Sequence, residues 1–330
     1  MQLSIIVVSY NTASLTEQTV RSVEASLALS PDLRKSSEIL VVDNNSTDES
    51  IARLKVLQKE FPHFIHLIEN TENVGFARAN NQAIEKSSGE FILLLNSDTI
   101  VQGDAIPQMV KAFQQHPVQE QTAALQSAGG ALDKLGILAA QLQNTDGSPQ
   151  PQGGSFPTLF SLFCHMSLLD DVPFLGQFLP STQHTGRRQS LATETSMTGV
   201  QQQDWVGGTA MMVRRVLITE VGSLDEKIFM YGEDVEWCMR AKNHHWDVGI
   251  LPSAKITHLG SASSSSKKAI LGELKAYQYI WAKHKPLWQQ QFANIILKLG
   301  IELRIFLFAT IGLQPAKAEA YIEARALFKE

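Results

Sequence analysis

Residues 91–98 read Phe-Ile-Leu-Leu-Leu-Asn-Ser-Asp, five apolar side chains followed at once by three short polar ones. So short and so apolar a run reads as a strand buried on both faces, as central strands of parallel sheets are. Three β-rich runs precede it, at Leu3–Ser9, Glu38–Asp43 and Phe64–Glu69. Between them the apolar positions take a helical period, over Thr16–Leu29, Ser50–Phe61 and Phe76–Ser87. Strand and helix in strict alternation predict a doubly wound α/β half-domain, in which ligands bind beyond the carboxyl ends of the strands.

Polar residues gather at those ends. Ser9-Tyr10-Asn11 follows the first strand, Asp43-Asn44-Asn45-Ser46-Thr47-Asp48 the second, and Asn96-Ser97-Asp98 the fourth. The stretch 120–203 is rich in Gln, Ser, Gly and Pro and reads as loops with a few helical turns. Regular structure resumes with a strand over Trp205–Arg214, a helix over Asp234–Lys242, and short strands at Val248–Leu251 and Ile256–His258. Helices follow to the C-terminus.

Bulk properties exclude several classes. With 44% hydrophobic and 18% charged residues in 330, the chain holds an ordinary globular core, and a net charge of −5 without basic blocks argues against nucleic acid as a partner. Cys164 and Cys238 lack the spacing of a zinc site or disulfide framework, which suits a reducing compartment. Met1–Tyr10 has no basic region or cleavage site and reads as a buried strand, not a signal peptide. No apolar run is long enough to span a bilayer; Lys298, Glu302 and Arg304 interrupt the best candidate, Ile295–Leu313.

Several positions carry chemistry. Asp43 can accept hydrogen bonds from a base or ribose, although Ser46, Thr47 and Asp48 also suit the start of the next helix. Asn73-Val-Gly-Phe-Ala-Arg-Ala-Asn-Asn81 opens a helix with Gly75, which permits close backbone approach; Arg78, Asn80 and Asn81 can meet a nucleotide, or the segment is a plain loop-to-helix junction. Asp98 ends a rigid strand, where a hard divalent cation on a diphosphate finds an oxygen ligand; an Asx turn is the plainer reading. Trp205 beside Gly207 and Gly208 offers an aromatic face with room for a sugar, or a core tryptophan. Glu233 and Asp234 open a helix whose N-terminus favours their ionised forms, and such a carboxylate can serve as a general base or as a cap. His258 closes a strand and can ligate metal or a phosphate, or be structural.

Taken in order, Val8-Ser-Tyr-Asn11, Val42-Asp-Asn-Asn-Ser-Thr-Asp48, Asn73–Asn81, Leu95-Asn-Ser-Asp98, Trp205-Val-Gly-Gly208, Phe229-Met-Tyr-Gly-Glu-Asp-Val-Glu236 and His258 resemble the family 2 glycosyltransferases, rhamnosyltransferase-like group. The resemblance spans roughly residues 3–260. It implies a GT-A fold with a mostly parallel central sheet, a catalytic domain over 1–265 and a helical extension over 266–330. Within the former, 1–119 would be the nucleotide-binding half, 120–203 a variable stretch and 204–265 the acceptor half. It further implies that Ser9, Tyr10, Asn11, Asp43, Asn45, Gly75, Arg78, Asn80 and Ser97 hold the nucleotide. Asp98 and His258 would hold Mg²⁺ or Mn²⁺, Asp234 with Glu233 beside it would be the base, and Trp205, Gly207 and Gly208 would meet the acceptor. Asn96 stands where many relatives carry a further Asp, which removes one charge from the metal site.

The implied reaction is inverting transfer from a nucleotide-diphospho-sugar, dTDP-rhamnose first, to a glycan or polyprenyl-linked oligosaccharide in the cytoplasm, with peripheral contact to the inner membrane face. The apolar stretch Ile295–Leu313 is open to three uses: an interfacial helix, a dimer contact, or packing on the catalytic domain. Phe156-Pro-Thr158 and Gly186-Arg-Arg188 are candidates for the acceptor side. A nucleotidyltransferase would carry a glycine-rich basic loop after the first strand, where this chain has Ser9-Tyr-Asn-Thr-Ala13. A non-catalytic carbohydrate-binding protein gives no reason for Asp98, Glu233, Asp234 and His258 together.

Overall fold

The computed structural model describes residues 1–117, 134–170, 172, 178–179, 199–260, 266–311 and 314–328; the Gly186–Arg188 step lies outside them. The first half follows the alternation read from the sequence: β1 (Leu3–Ser9), α1 (Ala13–Ala28), α2 (Pro31–Lys35), β2 (Ser37–Asp43), α3 (Ser50–Glu60), β3 (Ile65–Glu69), α4 (Phe76–Lys86) and β4 (Phe91–Asn96). These four strands are parallel, in the order β3-β2-β1-β4. Leu3, Ile5 and Val7 face one helical layer and Ile6 the other, each fully buried, which is why β1 shows no polar alternation.

Register levels the strand ends. Ser9 lies opposite Asp43, and Val8 opposite Asn96, so the three polar clusters emerge at one edge. The chain leaves β1 where its neighbours run to opposite sides, the usual place for a crevice in such sheets.

The second half departs from the sequence reading in three places. β5 (Thr99–Val101) and α5 (Ala105–Gln115) precede β6 (Leu135–Gln143), a nine-residue strand where the sequence suggested loops. Its Leu-Gly-Ile-Leu-Ala-Ala-Gln-Leu-Gln composition is weakly β-forming, and its place between two neighbouring strands supplies what propensity lacks. After β7 (Gly153–Gly154), α6 (Leu159–Met166) and β8 (Gln201–Gln203), the expected strand over Trp205–Arg214 divides at Gly207–Thr209. Its first part, β9 (Trp205–Val206), pairs with β7 in a separate ribbon; β10 (Ala210–Arg214) enters the main sheet antiparallel to both β4 and β6. Then come α7 (Arg215–Val221), α8 (Glu233–Asn243) and β11 (Asp247–His258), one strand with a register shift between Leu251 and Lys255, where Pro252 cannot donate to a ladder.

Helices α9 (Ser266–His284), α10 (Leu287–Phe306) and α11 (Pro315–Ala326) close the chain. With α6 they bury Leu162, Met166, Trp281, Leu297, Ile301 and Tyr321 in a core of their own. Arg304, one of the charges interrupting the apolar stretch, points inward and donates to the carbonyls of His165 and Met166. Lys298 and Glu302 face solvent.

Candidate functional site

A cavity of about 750 Å³ opens at the carboxyl edge of the sheet. Tyr10, Ser97 and Asp98 reach it from the ends of β1 and β4, and Trp205, Gly207 and Gly208 from the β9–β10 turn. Glu233 and Asp234 enter from the start of α8, and His258 from the end of β11. Residues more than two hundred positions apart thus share one space.

Other expected nucleotide residues stand behind this lining and shape it. The Ser9 hydroxyl is buried against Thr16 at 2.9 Å. Asn11, at φ 54°, staples two loops: its amide donates to Ser46 Oγ and its Oδ1 accepts from the Thr47 amide at 2.7 Å. Asn45 also takes a left-handed φ of 66°, a conformation asparagine tolerates better than most residues. Asp43 is buried; Oδ2 accepts from the Ser46 amide at 2.9 Å, while Oδ1 is buried without a protein partner. Gly75, at φ 87°, is required by close approach, since a Cβ there would lie 2.7 Å from the Phe229 ring.

The helix after Gly75 corrects the reading of the sequence. Arg78 faces away from the cavity towards Glu226, at 3.9 Å. Asn80 turns back onto the Phe76 carbonyl, and Asn81 fastens the Leu224 backbone in both directions. Helical phase explains this: positions 77, 80, 81 and 84 form the buried face, so the asparagines serve packing. Asn44, not singled out in the sequence, binds Asn73 and the backbone of Val74 and Gly75, welding the β2 end to the start of α4.

At one end of the cavity His258 Nε2 lies 3.4 Å from Asp98 Oδ1. The other ring nitrogen, Nδ1, meets Gln150 Oε1 at 3.0 Å, and Gln150 donates from Nε2 to the His258 carbonyl. A proton on Nδ1 turns the Nε2 lone pair towards a carboxylate, an arrangement that a cation between them stabilises. Two ligands about 2.1 Å from one hard cation can keep such a separation. Among the described residues no group of three His, Cys, Asp or Glu side chains gathers to hold a metal, which leaves coordination positions for oxygens of a bound molecule or water.

Gly232, in a left-handed conformation, turns the chain into α8 and points the acidic pair into the cavity. Asp234 Oδ2 accepts from the Gly208 amide at 3.1 Å, and Oδ1 from the Val235 amide at 2.7 Å. Burial raises its pKa above the ordinary carboxylate value. Glu233 is 5% exposed and its Oε2 has no partner; burial first, then the neighbouring Asp234, push its pKa up to about 8. One turn on, fully buried Glu236 behaves oppositely. Although burial works against ionisation, His284, Arg240 and Lys283 hold its pKa at about 2. The four-residue spacing of Glu236 and Arg240 suggests a pair on the helix surface; the pair forms, but Glu236 is buried, and Lys283 and His284 of α9 join it there.

Trp205 is nearly buried, lines the cavity, and donates from Nε1 to the Ser155 carbonyl, so it is both core and wall. Gly207 pairs with Gln152, and a Cβ there would lie 3.2 Å from the Gln152 amide oxygen. Phe156 and Thr158 bracket the entry to α6, where Thr158 caps the helix through the Ser161 amide.

Residues 4–129 match the profile described as "Glycosyl transferase family 2". The chain is 24% identical over 279 residues, 80% of each partner, to the N-acetylglucosaminyl-diphospho-decaprenol L-rhamnosyltransferase of Mycobacterium tuberculosis. It is also 24% identical over 257 residues, 75% of this chain and 64% of the other, to the low-salt glycan biosynthesis hexosyltransferase Agl10 of Haloferax volcanii. Among solved structures it resembles the mannosyltransferase of Pyrobaculum calidifontis in complex with GDP-Man and Mn²⁺, with a TM-score of 0.54, 16% identity, and coverage of 99% of this chain and 86% of that one.

Proposed function

We propose that this chain, a glycosyltransferase of family 2 with the GT-A fold, inverts the anomeric centre of a nucleotide-diphospho-sugar in a single displacement. The observation that carries the reading is the shared cavity. Asp234 stands in it as a base, Asp98 and His258 as cation ligands, and the ends of β1, β2 and β4 border it as a nucleotide site.

The nucleotide takes the β-strand edge. Tyr10 and Ser97 line the space, and Asp43 stands buried behind them with its Oδ1 unpartnered. Among the described lining residues there is no Lys or Arg, while Asp98, Glu233 and Asp234 are acidic. A diphosphate entering such a space needs a counter-charge, which favours a divalent cation, Mg²⁺ or Mn²⁺, on Asp98 and His258. Bound there, the cation supplies Lewis-acid stabilisation of the departing nucleotide.

Asp234 takes the acceptor proton while the acceptor oxygen attacks the anomeric carbon. Its raised pKa makes it a stronger base than a solvated aspartate, and the Gly208 and Val235 amides hold the carboxylate in place. Burial and the neighbouring Asp234 raise the Glu233 pKa, which disfavours a second charge beside the base. Trp205 and the open backbone of Gly207 and Gly208 form the wall against which the sugars pack.

L-Rhamnose from dTDP-rhamnose is the first donor assigned, on the likeness to the mycobacterial rhamnosyltransferase, whose name also motivates a lipid-linked glycan acceptor. Peripheral membrane contact at the cytoplasmic face fits that acceptor and the exposed apolar face of α10. No helix among the described residues is long and apolar enough to cross a membrane.

The test is a thermal-shift and transfer panel of dTDP-, UDP- and GDP-sugars with and without Mn²⁺, with product anomers read by NMR. Inverted product with metal-dependent turnover is the expected result. Retention of configuration, or transfer unaffected by chelator, would overturn the mechanism.

A further inference from the structure

Helix α9 walls the cavity opposite the sheet, with Ala269, Glu273, Ala276, Tyr277 and Ile280 along one face. It is seated tightly on the turn that precedes the acidic pair. A Cβ on Gly272 would lie 2.7 Å from the Tyr231 ring, and one on Gly232 would lie 2.7 Å from the Ala276 Cβ. Lys283 near its C-terminus binds Asp225 and, at 2.8 Å, Glu236 of α8. α9 therefore holds a set position relative to Asp234.

Glu273 is the charged residue that α9 contributes to the lining. His165 Nε2 lies 3.7 Å from its Oε1, and His165 Nδ1 lies 3.4 Å from Asp170, so the carboxylate is restrained from behind. The same space contains Glu233 with its buried, unpartnered Oε2. Among the described residues, Lys267 is held by Glu319 and Glu323, and Arg304 by backbone carbonyls and Tyr321.

We propose that Glu273 and Tyr277 form the acceptor subsite and that it selects an uncharged sugar end, a refinement that rests on the glycosyltransferase reading above. A hydroxyl or acetamido N–H of the acceptor donates to Glu273, and the sugar's C–H face packs on the Tyr277 ring. Among the described lining residues a uronate or phosphorylated end meets the Glu273 carboxylate and no Lys or Arg. The discrimination is on the order of tenfold in affinity, the scale of two like charges a few ångström apart in largely hydrated surroundings.

The experiment titrates the full chain with octyl β-N-acetylglucosaminide and octyl β-glucuronide, below their micelle concentrations, in the presence of nucleotide diphosphate and Mn²⁺. The wild type is expected to favour the neutral glycoside about tenfold or more. Glu273→Gln should bring the two within about threefold, and Glu273→Lys should favour the glucuronide, with melting temperatures unchanged. Equal affinity in the wild type, binding of neither glycoside, or a ratio unaltered by both variants would overturn the proposal. UDP and dTDP titrated with Mn²⁺ and no glycoside give the separate readout: failure to bind either counts against the donor reading, whereas nucleotide binding with a residue-273-independent ratio counts against this subsite.

Discussion

The Gly208 amide donates to Asp234 Oδ2 at 3.1 Å, tying the β9–β10 turn to the first turn of α8. The donor comes from the glycine turn that also walls the cavity, so Asp234 is fixed to that wall. A Cβ at Gly208 would make ordinary van der Waals contact with the Phe76 ring at 3.4 Å, so the turn lies against the start of α4.

Asp234→Asn preserves the acceptor for that amide but removes the base. Transfer should fall by about 10²–10⁴-fold while nucleotide-diphosphate affinity stays within about twofold. Single-turnover kinetics beside calorimetric donor titration checks this, and near-normal turnover would rule the base out.

The metal site should depend on a residue that touches no cation. Gln150→Ala frees the His258 ring, and the apparent Mn²⁺ affinity read from activity should drop about 10–100-fold. Asp98→Ala, which deletes a charged ligand, should cost more, and excess Mn²⁺ should restore Gln150→Ala better than Asp98→Ala.

Glu233 sets an unusual pH dependence. Its folded pKa, about 8, lies above the ordinary value of 4.5, so the folded state binds a proton that the unfolded chain releases. That contribution is fully present below pH 4.5 and is lost as pH rises towards 8. Without ligand, the melting temperature should decline across this window, and Glu233→Gln should flatten the decline. A wild type whose stability rises from pH 5 to 8 would contradict this.

Glu236 acts in the opposite direction. Its folded pKa of about 2 is below the ordinary value, so its contribution is present above pH 4.5 and is lost as pH falls towards 2. Lys283→Met removes one partner of this buried carboxylate and should destabilise the chain by about 1–3 kcal/mol at neutral pH. Denaturant titration checks it; with Arg240 and His284 still in place, the loss should stop short of unfolding.

The exposed face of α10 carries Trp288, Phe292, Ile295, Leu299, Leu303 and Phe306 at helical spacing. If it lies on a lipid surface, the protein should co-sediment with vesicles of anionic phospholipid, and Phe292→Glu with Leu299→Glu should abolish this without lowering stability. A protein that stays in the supernatant beside such vesicles would remove the membrane reading.

Much of the sheet and of the helices beside it was readable in order. β1, β2, β4, α4 and α8 begin or end within a few residues of where apolar period and polar breaks put them, because these signals arise between near neighbours in sequence. The level edge that joins Ser9, Asp43 and Asn96 follows from strand polarity, and strand polarity from the helices between. Arg78 and Asn80 show where that reasoning stops: being on a motif-bearing helix does not say which face meets the ligand.

The chain's own residues, read alone, determined the parallel half of the sheet, the strand-end clusters and the acidic opening of α8. Only tertiary structure decided that β6 is a strand, that Gln150 orients His258, and that α9 walls the site with Glu273 and clamps Glu236. It also separated three carboxylates on one helix turn, Glu233 and Asp234 with raised pKa and Glu236 with lowered. The reason is physical. Local pattern reports on contacts a few residues apart, whereas burial and charge pairing depend on segments that meet only after the chain has folded.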